Sequence, residues 1–442
     1  SGGFLRARIQ RSGPGNAAIF AALSMSPHLP SLFIALVLVA CGEGAKTVTE
    51  PRQGLWRMEL DLNGPLLPFT FELAKADSSA WTMLVHNSTE KIEVTDVSLL
   101  GDTILMRMPL FDSEFRGVVV NDTTIVGRWH NYLKGPEYSI PFHAVAGTKT
   151  RFPGAAVASA NISGTWRAHF SAGTPDAYNA IGEFRQDSAG VVSGTFMTET
   201  GDYRFLEGVL HGDSLLLSCF DGSHAFLFQA VLRGDSLHGH YMSGVHWQEH
   251  WVAVRDANYE LRDPDSLTTL REGYGMVDFR FPDLEGNMVA RSDEAFRGKP
   301  MMVQVMGSWC PNCVDEARLL SEVHGKYHVR GLEILAIAFE KYEDPDQAIG
   351  ALKRFKKTLG VPYPVLYGGA ASKEVAGSKL PFLDHLMSYP TCIFIDRNGM
   401  VRRIRTGFYG PGTGEHYEHY KRNLDAFIET LLDEELSMAQ TR

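Results

Sequence analysis

Three short stretches recur in the same order at nearly constant spacing, and this periodicity constrains the fold more than any other feature of the chain. GLWR at 54–57 returns as GTWR at 164–167, an offset of 110 residues. GDTILMRMPLFD at 101–112 is echoed by GDSLLLSCFD, which runs from Gly212 to Asp221, and NDTTIVGRW at 121–129 by GDSLHGHY at 234–241, so the offset stays within 110–113. Between residues 51 and 255 helical periodicity is almost absent. Alternating apolar runs are separated instead by Gly-Asp, Asn-Asp and Asp-Gly turn signals. The pattern predicts two tandem all-β domains, 51–147 and 160–255, the second a repeat of the first, joined by the small-residue stretch PGAAVASA. Each is an antiparallel meander that curls into a small barrel or sandwich, because curling removes exposed strand edges.

At residue 274 the pattern changes to strands alternating with helices. MMVQVM (301–306) is a continuous apolar strand, followed by a helix from about Cys310 to His328. LEILAIAF (332–339) is a second buried strand, and Pro345–Leu359 carries a helical pattern. YPVLY (363–367), TCIFID (391–396) and VRRIRTG (401–407) follow as strands. A last helix runs from about Gly414 to Leu436, with Leu424, Phe427, Ile428, Leu431 and Leu432 on one face. Alternation of this kind implies an α/β layer around a largely buried sheet, assigned here to residues 274–436.

The first 40 residues read as a signal region. LFIALVLVA (32–40) is apolar over nine residues, well short of the roughly 18 that span a bilayer. It ends at small Ala40, followed by Cys41 and a polar linker to residue 50. The string LVAC resembles the bacterial lipobox, which implies that Cys41 carries lipid and becomes the first residue of the mature chain. Basic residues for an n-region stand only upstream, at Arg6, Arg8 and Arg11, so the translation start is left open. The expected location is the cell envelope, facing the periplasm, with the lipid as membrane anchor. The net charge of −10, with no basic block to offset it, argues against a nucleic-acid partner.

Of five cysteines, two stand in SWCPNCVDE at 308–316, where a buried strand meets a helix. A Cys-x-x-Cys at such a junction reads as a redox pair. Cys310 takes the helix N-terminus, where free N–H groups and the macrodipole favour a thiolate. Pro311 suits the first helical position, since its missing N–H would have had no partner there. Cys313 lies one turn on, deeper, so Cys310 is the attacking thiol and Cys313 the resolving one. A structural zinc site would need a second Cys or His pair at similar spacing, and the domain has no second Cys-x-x-Cys. An inert structural disulfide is the other reading.

The segment DFRFPDLEGNMVARSDEAFRGKPMMVQVMGSWCPNCVDEARLL, with YPTCIFIDRNGMV further on, resembles the thioredoxin superfamily, and within it the membrane-anchored TlpA/ResA-like thiol–disulfide oxidoreductases. The resemblance implies a thioredoxin-like domain over 274–436 and a redox-active Cys310–Cys313 disulfide, with no metal or organic cofactor. It implies protein disulfides as substrates and a membrane thiol reductant as electron source. It places Trp309, Pro311, Tyr389, Pro390 and Thr391 at the substrate surface, Pro390 as a cis-proline, with the Tyr389 backbone pairing with a substrate strand. Glu316, one turn beyond Cys313, is implied to relay the resolving thiol's proton, a task that desolvation would assist by raising its pKa. Thioredoxin itself carries a buried Asp six residues before its first cysteine; this chain has Gln304. The intervening dipeptide is Pro-Asn, with no imidazolium to hold a thiolate, which tilts the expectation toward a reductase.

Other readings are a disulfide oxidase or isomerase of the same fold, or a binding protein whose β domains recruit a ligand or partner. Peroxiredoxin is disfavoured because its reactive cysteine follows Thr-x-x, whereas Gly307 stands three before Cys310. Cys219 and Cys392 are read as small apolar fillers. His238, His240, His246 and His250 are read as surface strand and hairpin residues and not as metal ligands, and His416 and His419 as a solvated helix face.

Overall fold

The computed structural model describes residues 49–76, 80–154 and 157–434. The signal region 1–40, Cys41 and nearly all of the linker 41–50 lie outside the described residues. Eight antiparallel strands, from β1 (Gly54–Asp61) to β8 (Ser139–Ala146), form a closed barrel in which β8 returns to β1. Nine more run from β9 (Gly164–Phe170) to β17 (Trp247–Arg255). β10 (Tyr178–Gln186) pairs with both β9 and β11 (Val191–Thr198), and β17 pairs with β9, so eight of the nine close a second ring. The short β12 (Gly201–Asp202) hangs from β11 beside it.

The sequence echoes have physical counterparts. Trp56 and Trp166 are both fully buried, and each indole N–H donates to a carbonyl four residues back, Arg52 at 2.8 Å and Ile162 at 2.9 Å. The Gly-Asp pairs at 101, 212 and 234 are two-residue hairpin loops whose glycines have φ of 65°, 55° and 59°. Positive φ in a tight hairpin is the conformation that glycine adopts without steric cost. The barrels share a core boundary at Phe220 of the second, which stacks on Phe69 of the first at 4.6 Å and meets Trp129 edge-on at 5.1 Å.

The third part of the chain is an α/β layer, entered through a short antiparallel hairpin of β18 (Arg280–Pro282) and β19 (Met288–Ala290). β20 (Met301–Met306) is buried at every residue and lies parallel to β21 (Glu333–Glu340), which is parallel to β22 (Val365–Ala370). On its other side β20 meets β23 (Thr391–Ile395), antiparallel to it and to β24 (Val401–Thr406), giving the order β22-β21-β20-β23-β24. Helices α1 (Pro311–Tyr327), α2 (Pro345–Leu359) and α4 (Glu415–Asp433) bury their apolar residues against one face. α3 (Lys373–Lys379) and the aromatic residues Phe279, Phe281 and Phe296 cover the other.

Two elements differ from the sequence expectation. The strand expected at 363–367 begins at Val365, because Pro364 has no N–H to give the ladder, and it extends through Gly368, where a Cβ would meet the Phe339 ring at 2.8 Å. α3, capped by the Ser372 side chain, was not expected at all; seven residues are too few for a periodic signal. Among the described residues no helix is long and apolar enough to cross a membrane.

Candidate active site

The turn from β20 into α1 sets the geometry of the dithiol. Cys310 has extended backbone (φ −103°, ψ 113°) and occupies the N-cap of α1, with Pro311 in the first turn. Its sulfur accepts the Cys313 backbone N–H at 3.4 Å, one of the N–H groups that a helix start leaves without an intrahelical partner. The Cys310 thiol donates to the Tyr389 carbonyl at 3.5 Å, and the Tyr389–Pro390 peptide bond is cis. Thr391, fully buried, donates its hydroxyl to Ser388 O at 2.9 Å and so closes the same loop. Trp309 donates its indole N–H to Phe339 O at 3.0 Å and meets the Tyr389 ring edge-on at 5.5 Å. Of the five residues expected at the substrate surface, Trp309 and Tyr389 are half-buried, whereas Pro311, Pro390 and Thr391 are buried and shape the loop from within.

Depth separates the two thiols. Cys310 retains 8% of its surface and Cys313 none, and both are free thiols. Burial, followed by the adjoining Cys310 thiol, pushes the Cys313 pKa well above the ordinary thiol range. Beneath them Glu316 is 1% exposed. Burial raises its carboxyl to about 7, against the opposing hydrogen bond from Gln304 and the charge of Arg405. Gln304 Nε2 donates both to Glu316 Oε2 at 2.9 Å and to the Cys313 carbonyl at 3.2 Å. The residue that stands where thioredoxin has an acid therefore ties the lower carboxylate to the backbone of the resolving cysteine.

Sequence reasoning missed four further residues. Glu340, at the buried end of β21, accepts from Ser308 N–H at 2.7 Å and Ser308 Oγ at 2.8 Å, pinning the turn before the motif, and burial raises it to about 7. An acid closing an otherwise apolar strand was the available signal. Lys341 lies over the Trp309 ring at 4.0 Å; partial desolvation lowers its pKa, opposed by the neighbouring Cys310 and Glu340. Gln304, at the strand position opposite Cys392, was noted only as a departure from thioredoxin.

The fourth is Arg204, from the second barrel. Buried in a left-handed backbone conformation (φ 62°), it pairs with Asp315 of α1 and Glu90 of the first barrel, lies 3.8 Å from Asp221, and donates to the Pro311 carbonyl at 3.3 Å. Asn312, between the cysteines, donates to Asp202 O at 3.4 Å, and Ser223 Oγ to Trp309 O at 3.3 Å. A Cβ on Gly201 would meet the Asn312 amide at 2.0 Å, so glycine permits that close approach. Loops of both barrels are thus docked around the dithiol.

The remaining candidates lie apart. Cys392 and Cys219 are buried in separate cores, and burial raises both thiols. His240 and His250 are cross-strand neighbours with rings 4.0 Å apart, His238 bonds Ser236 at 2.9 Å, and His416 lies 3.7 Å from Glu183. Among the described residues no three His, Cys, Asp or Glu side chains gather as a metal site.

Comparison with known proteins places the likeness on the same third of the chain. A family model described as the AhpC/TSA family matches residues 273–404. A thiol-disulfide oxidoreductase ResA of Bacillus cereus is 30% identical over 147 residues, 33% of this chain and 74% of the relative. That of Geobacillus kaustophilus is 29% identical over 140 residues, covering 32% and 72%. Among solved structures, a thiol:disulfide interchange protein of the thioredoxin family from Chlorobium tepidum is similar over 37% of this chain and 99% of its own, with 22% identity and a TM-score of 0.29.

Proposed function

Because the chain belongs to the TlpA/ResA-like thiol–disulfide oxidoreductases of the thioredoxin superfamily, we propose that its Cys310–Cys313 pair reduces protein disulfides outside the cytoplasm, with the protein held at a membrane by lipid on Cys41. The observation that carries the reading is the placement of Cys310 Sγ, on the Cys313 N–H in the first turn of α1 and against the Tyr389 carbonyl, with Glu316 buried below. The Cys310 thiolate attacks a partner disulfide, forming a mixed disulfide and releasing the partner's first thiolate. Cys313 then attacks the Cys310 sulfur, the pair closes to a disulfide, and the partner's second thiol leaves. Glu316 takes the proton that Cys313 must lose. Two electrons pass to the partner, and the cycle balances on thiols and a disulfide without metal or organic cofactor. A membrane thiol reductant restores the pair.

Helix-terminal N–H groups and the macrodipole favour a charged sulfur at the N-cap over one in the helix interior, which supports Cys310 as the attacking thiol. Trp309 and Tyr389 border the surface that receives the partner, with Pro311, Pro390 and Thr391 buried behind them, and the loop before β23 offers the partner main-chain groups. Reduction of insulin by the full chain with dithiothreitol as electron donor, followed by precipitation of its B chain, tests the reading. Turnover is expected from the wild type and lost in Cys310→Ser; turnover that survives that substitution would overturn it. A reduction potential near the oxidising end of the roughly −120 to −270 mV range of this fold would assign an oxidase or isomerase instead.

A further inference from the structure

A cleft of about 420 Å³ opens between the two barrels and the thioredoxin-like domain, and its wall includes Trp309 and Lys341 beside the dithiol. The volume suits a small molecule. The charged side chains that line it are the two lysines Lys134 and Lys341. Lys134 of the first barrel reaches in from one side and Lys341 from the other, with His224 and His246 of the second barrel between. The Lys134 ammonium finds only an imidazole and a ring: it lies 3.0 Å from His246 Nε2 and 5.4 Å from the Tyr138 centroid. Lys341 rests on the Trp309 ring. Neither lysine has a carboxylate partner among the described residues. The two nearest acids are already engaged, Asp221 by His224 and Arg204, and Glu340 by Ser308. Burial, and then the neighbouring Lys341, lower Lys134 to about 8, and burial with Lys134 lowers His246 to about 4. In a chain of net charge −10, an uncompensated cationic cleft at the mouth of the redox pair calls for an anion.

We propose that this cleft binds the carboxylate of a small disulfide, so that low-molecular-weight, carboxylate-bearing disulfides are a second substrate class for the Cys310–Cys313 pair. The inference rests on the exchange chemistry of the preceding subsection. The carboxylate of one half of the disulfide seats between Lys134 and Lys341 and brings its sulfur to Cys310. Cys310 bonds to one sulfur and the other leaves as a thiolate; Cys313 then displaces the bound half. The reduced pair becomes a disulfide, and the small disulfide leaves as two thiols that carry the pair's two protons.

The test uses two probes of similar size and opposite charge, dithiodipropionate (a dianion) and cystamine (a dication), with the reduced full chain. Each second-order rate constant is normalised to the probe's rate with dithiothreitol, which removes the difference in leaving-group pKa. The wild type is expected to favour the dianion by at least about tenfold, the effect of one charge-assisted hydrogen bond, and to lose that preference at 1 M salt, where the screening length falls to about 3 Å. Lys134→Met is expected to cut the dianion-to-dication ratio about tenfold; should that variant fail to fold, the wild-type salt dependence decides. A normalised ratio near one, or a ratio indifferent to salt and to Lys134→Met, would overturn the proposal. Insulin reduction by the same preparation separates the two readings: insulin turnover with a ratio near one removes the cleft alone, and no turnover of insulin or of either probe removes both.

Discussion

Replacing Glu316 by Gln keeps the side chain's size and its place beside Gln304 while removing the titration. Glu316 is 1% exposed, and burial raises its carboxyl from 4.5 to about 7. At about 1.36 kcal/mol per pKa unit, ionising it in the folded protein carries a penalty of roughly 3 kcal/mol. The sign follows from proton counting. Between pH 4.5 and 7 the folded protein holds a proton that the unfolded chain has released, so this residue makes stability fall as pH rises through that window. Below about pH 4.5 the penalty vanishes. Glu316→Gln is therefore expected to gain on the wild type between pH 4.5 and pH 8, by up to roughly 3 kcal/mol in urea unfolding. The same substitution removes the proton acceptor for Cys313. With an aromatic disulfide that releases a coloured thiolate, stopped flow resolves two steps: a first release on attack by Cys310 and a second on attack by Cys313. The first is expected to change little and the second to slow about a hundredfold near neutral pH, the low end of what general-base catalysis contributes. The wild-type second step should gain rate through an inflection near pH 7 that the variant lacks. If the variant keeps that inflection, or slows both steps equally, Glu316 is not the proton acceptor.

Two further outcomes follow from the surrounding contacts. Arg204→Met leaves Asp315, Glu90 and Asp221 buried with one cation fewer, and is expected to cost about 3–5 kcal/mol in thermal or urea unfolding and to raise the rate at which iodoacetamide alkylates Cys310; an unchanged melt and an unchanged rate would refute the role given to this docking contact. Gln304→Leu removes the hydrogen bond that favours ionised Glu316, so the inflection of the second release step should move to higher pH, and an unmoved inflection would contradict the bridge described here.

What was legible in the sequence was whatever repeats locally. The tryptophans at 56 and 166 and the Gly-Asp loops mark equivalent points of two barrels because a hairpin loop and a barrel-filling indole are satisfied within a few residues of chain. The Cys310–Pro311 start of α1 was legible for the same reason: cap, proline and resolving cysteine fall within one turn. The contacts around the dithiol left no such trace. Arg204 meets Asp315 across 111 residues and Glu90 across 114, and nothing in a loop arginine announces an acid that distant. Gln304 reads as a polar interruption of an apolar strand until α1 folds over it and brings Glu316 within 2.9 Å. Lys134 and Lys341, 207 positions apart in the numbering, become one cleft only when three domains meet.

The central claim is that one sulfur, Cys310, carries the partner and that Cys313 frees it. The direct measurement is intact-mass and peptide mapping of the reduced full chain and of Cys313→Ser after brief exposure to a disulfide partner. The account predicts that the wild type loses two hydrogens and retains no adduct, while Cys313→Ser holds one partner thiol, mapped to Cys310. An adduct on Cys219 or Cys392, or a Cys313→Ser protein that releases its partner as fast as the wild type, would contradict it.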